Sequence, residues 1–93
     1  MPYYVYIIQS ELDQSYYKGF SENPLNRLAA HNNGESTYTS IKIPWTLVYV
    51  EELTTKREAL IRERALKKYS HAQVLSLIAG PKNIIGSFTG SAG

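Results

Sequence analysis

Arg27, His31 and Glu63, with a set of tyrosines near the start of the chain, are the residues best suited to chemistry. Arg27 and His31 are four residues apart, so on a helix they project from one side. Arginine offers a planar fork that grips a phosphate with two parallel hydrogen bonds. Histidine titrates near neutrality and moves protons. The same spacing also fits a plain solvated polar face. Glu63 is the one acidic residue inside a second helical segment. On a wheel it falls near the edge of the apolar arc, between Ala59 and Leu60. Lys67 lies one turn further on, so a surface Glu63–Lys67 pair is one reading. The other is a lone carboxylate holding one Mg²⁺ that keeps most of its waters.

Tyrosine is abundant, with eight in 93 residues, and Tyr3, Tyr4, Tyr6, Tyr16 and Tyr17 fall in the first 17 positions. On a strand, Tyr4 and Tyr6 share one face while Tyr3, Val5 and Ile7 share the other. Such tyrosines pack on a sheet, or orient a water or phosphate oxygen through the hydroxyl. Spacing alone selects neither Tyr6 nor Tyr17 for the second role. Gly19 interrupts an aromatic strand, which marks a bulge or a close backbone approach.

The elements that must position these groups are legible in outline. Residues 3–8 and 15–20 are rich in aromatic and β-branched types and form a β-hairpin. Asn23-Pro24 opens a helix that runs to about Asn32, with Gly34 as its stop. Leu25, Leu28 and Ala29 are its expected core side. Residues 35–44 read as a Ser/Thr-rich loop and residues 45–51 as a third strand. Thr55-Lys56-Arg57-Glu58 makes a capping box for a helix reaching about Lys68. Ser70 and Gln73 make another, for a short helix ended by Gly80-Pro81. The order β-β-α-β-α-α defines an α+β domain with a small, largely antiparallel sheet flanked by helices. The domain is expected to span residues 1–80, with residues 81–93 a frayed, flexible tail.

Composition narrows the class. At 93 residues and 43% hydrophobic, the chain suits one small globular domain and not a disordered segment. It has no cysteine, which excludes disulfides and thiolate metal sites. No apolar run approaches a membrane span and no leader segment is evident, so a cytoplasmic protein without membrane contact is expected. The net charge of +2 hides an asymmetry: residues 1–53 carry three basic and six acidic side chains, residues 54–93 seven and two. Such a distribution suits a polyanion-binding face as well as a solvated helix. Lys56, Arg57, Arg62, Arg64 and Lys68 would supply phosphate contacts, though they spread widely around the wheel. No phosphate-binding glycine loop, nucleophile elbow or histidine pair with metal-ligand spacing is present.

In this order the residues resemble the GIY-YIG nuclease family. Tyr4-Val5-Tyr6 is similar to its first motif and Tyr17-Lys18-Gly19 to its second, eleven residues on. Arg27 matches the family's helix arginine, and His31 the His or Tyr one turn later. Ala59 to Glu63 resembles the helix segment bearing the metal-binding glutamate, and Arg64 to Lys68 continues as in small stand-alone members. Those members are similar to the N-terminal domain of the DNA-repair enzyme excinuclease C. Tyr4 departs from the motif glycine, Lys18 from its isoleucine, and Phe20 from a basic residue of the repair enzyme.

The resemblance covers roughly residues 2–78 and implies a DNA endonuclease, with a role in repair or recombination, dependent on Mg²⁺ or Mn²⁺ held by Glu63. It implies that Tyr6, Tyr17, Arg27, His31 and Glu63 are catalytic, and that Gly19, Lys67 and Lys68 bind substrate. Without a second DNA-binding domain, targeting would fall to DNA structure or a partner protein. The competing expectation is a catalytically weak nucleic-acid-binding module acting with a partner.

Overall fold

The computed structural model describes residues 2–87. β1 (Tyr3–Ser10) and β2 (Tyr16–Ser21) form the expected hairpin, and β3 (Trp45–Leu53) pairs with the other side of β1. The sheet is fully antiparallel in the order β2-β1-β3. α1 (Pro24–Asn32) follows the hairpin, while α3 (Lys56–Leu66) and α4 (His71–Ala79) follow β3. The expected loop between α1 and β3 contains one further helical turn, α2 (Thr37–Ser40). The protein is thus an α+β domain of the anticipated element order.

As the central strand, β1 is buried on both faces, which explains why its apolar run does not alternate with polar residues. Val5 and Ile7 pack with Tyr49, Ala59, Leu66 and Val74 beneath α3 and α4. Tyr6 and Ile8 pack on the opposite face with Trp45, Leu47 and Val50, covered by Leu28 of α1 and by Ile84 and Ile85. Local signals fix the helix starts. Asn23 Oδ1 accepts from Asn26 N–H, and both capping boxes form, at Thr55–Glu58 and Ser70–Gln73. Gly34 takes a left-handed φ of 76°, and its N–H closes on the His31 carbonyl.

Two local expectations differ from the structure. α1 does not turn Leu25 and Ala29 inward: Leu25 is 41% exposed, whereas Pro24 and His31 are buried and Leu28 packs on the sheet. The inward stripe is therefore 24, 28, 31, with a histidine at its end. Residues 81–87 fall in the stretch expected to fray, yet they lie against β3. Asn83 Nδ2 donates to Val48 O and Ile78 O, its Oδ1 accepts from Val50 N–H, and Ile84 N–H donates to Val50 O. Residues 88–93 lie outside the described residues.

Candidate active site

Tyr6 is the centre of the site. Its partner across the hairpin is Gly19, and its ring lies over that glycine. A Cβ on Gly19 would come within 2.7 Å of the Tyr6 hydroxyl and 2.8 Å of Cζ. The β1–β2 register runs unbroken through Gly19, while the register shift lies between β1 and β3 at Ile7/Ile8. Gly19 therefore serves the close approach of Tyr6, not a bulge.

The Tyr6 hydroxyl meets His31 Nε2 at 3.0 Å. On the other side of the ring, His31 Nδ1 lies 2.8 Å from Thr39 Oγ1. The Thr39 hydroxyl also lies 3.5 Å from Ser36 O; donation there lets it accept from Nδ1–H, the tautomer that turns an Nε2 lone pair toward Tyr6. Asn32 holds this arrangement in place by clasping β3: Trp45 N–H donates to its Oδ1 at 2.6 Å, and its Nδ2 donates to Trp45 O at 3.0 Å. Trp45 Nε1–H donates to Thr39 O. His31 and Thr39 are fully buried, and both imidazole nitrogens are satisfied.

Burial pushes the Tyr6 pKa above the usual phenol value, while the nearby Arg27 guanidinium pulls it down. Burial also holds the His31 imidazole below its ordinary pKa, and Arg27 adds to that effect. The Glu63 carboxylate acts on Tyr6 as well, adding to the upward push. The Tyr17 ring stands edge-on to His31 at 5.0 Å. Tyr6, Tyr17, Arg27, His31 and Glu63 thus form one electrostatic neighbourhood, assembled from β1, β2, α1 and α3.

Glu63 belongs to the inward stripe of α3, in line with the fully buried Ala59 and Leu66, and its side chain is 14% exposed. Lys67 Nζ lies 3.7 Å from Oε2, so the i,i+4 pair exists but is loose. Among the described residues, no three His, Cys, Asp or Glu side chains gather into a metal cage. The donor set here is one shielded carboxylate, which fits a hard divalent cation that keeps most of its waters. Lys67 also lines a cleft with Tyr17, whereas Lys68 is exposed past the end of α3, with no side-chain contact to the cluster seen among the described residues.

Thr39 and Asn32, which support this cluster, carry no signal in the sequence. Thr39 sits in a Ser/Thr-rich stretch where nothing distinguishes it, and Asn32 reads as an ordinary helix end. Only the fold brings either to His31 or β3.

The chain belongs to the GIY-YIG family: the model of the GIY-YIG catalytic domain matches residues 2–75. This is a family of nuclease-type domains. A UPF0213 protein of Staphylococcus epidermidis is 43% identical over 77 residues, covering 82% of this chain and 93% of its own. A UPF0213 protein of Clostridium perfringens is 44% identical over 77 residues, covering 82% of each chain. The solution NMR structure of a UPF0213 protein from Bacillus halodurans is similar over 96% of this chain and 95% of that one, with TM-score 0.57 and 28% identity. The chain therefore resembles small proteins that consist of little beyond this domain. No helix among the described residues is long and apolar enough to cross a membrane.

Proposed function

We propose that this domain is a divalent-metal-dependent endonuclease that hydrolyses phosphodiester bonds in DNA. The observation that carries this reading is the Tyr6–His31–Thr39 chain, set beside Arg27 and within the field of Glu63. A phenol kept protonated by burial is a poor base on its own. It becomes useful when a neutral acceptor waits behind it. As the attacking water loses a proton to the Tyr6 oxygen, the phenol proton passes to His31 Nε2 at 3.0 Å. Tyr17 orients the same water. Arg27, exposed on α1 with its guanidinium beside the Tyr6 hydroxyl, steadies the charge that builds on the phosphoryl oxygens. Glu63 would hold Mg²⁺ or Mn²⁺, which when bound neutralises charge on the phosphate and the departing oxygen.

A cleavage assay on supercoiled and branched DNA, comparing Mg²⁺, Mn²⁺ and EDTA, tests this. Glu63→Gln keeps shape and loses charge, so nicking should vanish while DNA binding persists. In the same assay Arg27→Ala should cost about 10²-fold or more in rate, as loss of a transition-state donor does. Wild-type cutting by Glu63→Gln would remove the metal assignment. Salt-sensitive binding without any metal-dependent cutting by the wild type would favour a binding module that acts with a partner protein.

A further inference from the structure

A cleft opens beside the catalytic cluster, sharing only Tyr17 with the steps above. Tyr16, Tyr17, Lys18, Tyr38 and Lys67 line it. Its outer wall is Tyr38, which is 66% exposed. Tyr38 is held there by its neighbour: Thr39 is pinned inside the protein through His31 and Trp45, which fixes the backbone of α2 and turns residue 38 outward. The Tyr38 ring lies 6.0 Å from Tyr17, and Tyr17 in turn stands against His31 at 5.0 Å. An aromatic wall thus runs from open solvent to the catalytic histidine. Lys67, 57% exposed in its side chain, joins the cleft to the catalytic carboxylate at 3.7 Å, and Lys18 supplies a second ammonium group. Among the described residues, no carboxylate lines the cleft.

Aromatic faces flanked by amines hold unpaired nucleotides, the base stacking on the ring and the phosphates meeting the cations. A base inside a duplex has both faces covered by its neighbours and cannot use such a wall. We propose that this cleft binds one unpaired nucleobase of the substrate strand, stacked on Tyr38 next to the scissile phosphate. The preferred substrate would then carry a single-stranded stretch at the point of cutting. The inference rests on the nuclease reading above and deepens it by naming the substrate class.

The test uses the full chain with EDTA present, so that binding is read without cutting. Fluorescent probes would be a single strand, a blunt duplex and a duplex with a single-stranded flap. Wild-type protein should bind the single strand and the flap more tightly than the duplex. Tyr38→Ala should weaken single-strand binding by about 5- to 150-fold, the fold-change one base–aromatic stack is worth, and leave duplex binding unchanged. Tyr38→Phe should keep wild-type affinity. One abasic position in the strand should lose affinity without adding to the loss in Tyr38→Ala. If Tyr38→Ala binds every probe like the wild type, the stacking site is wrong while the nuclease reading stands. If the wild type binds none of the probes, both fall. Since Tyr38 is exposed, an unchanged melting temperature would show that either variant is folded.

Discussion

Tyr6 has two tasks that pull on the same atoms. Its ring fills the face of β1 that α1 covers, and its hydroxyl must stay aligned on His31 Nε2. Gly19 reconciles them, because the ring can reach the histidine only by lying over a residue with no side chain. A methyl group there would have to displace a fully buried ring that is also hydrogen-bonded. Gly19→Ala should therefore destabilise the protein by about 1–3 kcal/mol, the usual cost of overpacking. In a domain of this size each kcal/mol lowers Tm by roughly 4–8 °C, so a thermal melt reads it directly. An unchanged Tm would mean the ring shifts freely, contrary to its close fit. The sequence showed Gly19 as an oddity in an aromatic strand. It could not show which ring required it, because that depends on the pairing of Tyr6 with residue 19.

At the scale of elements, α1 teaches the most. Its start and its stop were legible, because caps are local chemistry: Asn23, Pro24 and Gly34 act on their own neighbours. Its inward face is not legible in the same way, because hydrophobicity alone points Leu25 and Ala29 to the core, where the structure puts Pro24, Leu28 and His31. What faces the sheet is decided by the partners waiting there, and the partners of His31 are a hydroxyl from β1 and a hydroxyl from α2. α3 was easier, since the capping box fixed its phase and Glu63 fell close to the apolar arc. Thr39 was illegible, because one Thr among several gains meaning only from a contact eight residues away. Burying His31 has a cost that pH exposes. In the folded protein burial, and then Arg27, keep the imidazole neutral below its ordinary range. The unfolded chain takes up that proton at about pH 6.5. Stability should be complete above that value, fall as pH drops below it, and level off once the folded imidazole also protonates. Urea midpoints measured from pH 7.5 to 5 check this, with His31→Gln expected to flatten the slope. A wild-type midpoint that stays level across the range would contradict the neutral, buried histidine.

At the scale of the whole molecule, a three-stranded sheet is covered on both faces, and the proposed site lies where β1 and β2 meet α1 and α3. The last described residues complete the covering of the Tyr6 face through Ile84 and Ile85. That contribution was invisible in a Gly- and Ser-rich segment without periodicity, because Asn83 works through hydrogen bonds and not through hydrophobic pattern. Asn83→Ala should cost about 1–3 kcal/mol, as expected when backbone groups lose their partners. A lowered urea midpoint would report it, and an unchanged one would make the contact incidental. The consequence reaches beyond stability. β3 is an outer strand of the sheet, and Val48 O, Val50 N–H and Val50 O point away from β1 into the grip of residues 83 and 84. Unpaired, such groups are a template on which another copy can add a strand. The short turn of chain after α4 thus acts as a selvedge, a finished border that keeps one molecule's sheet from being woven into the next.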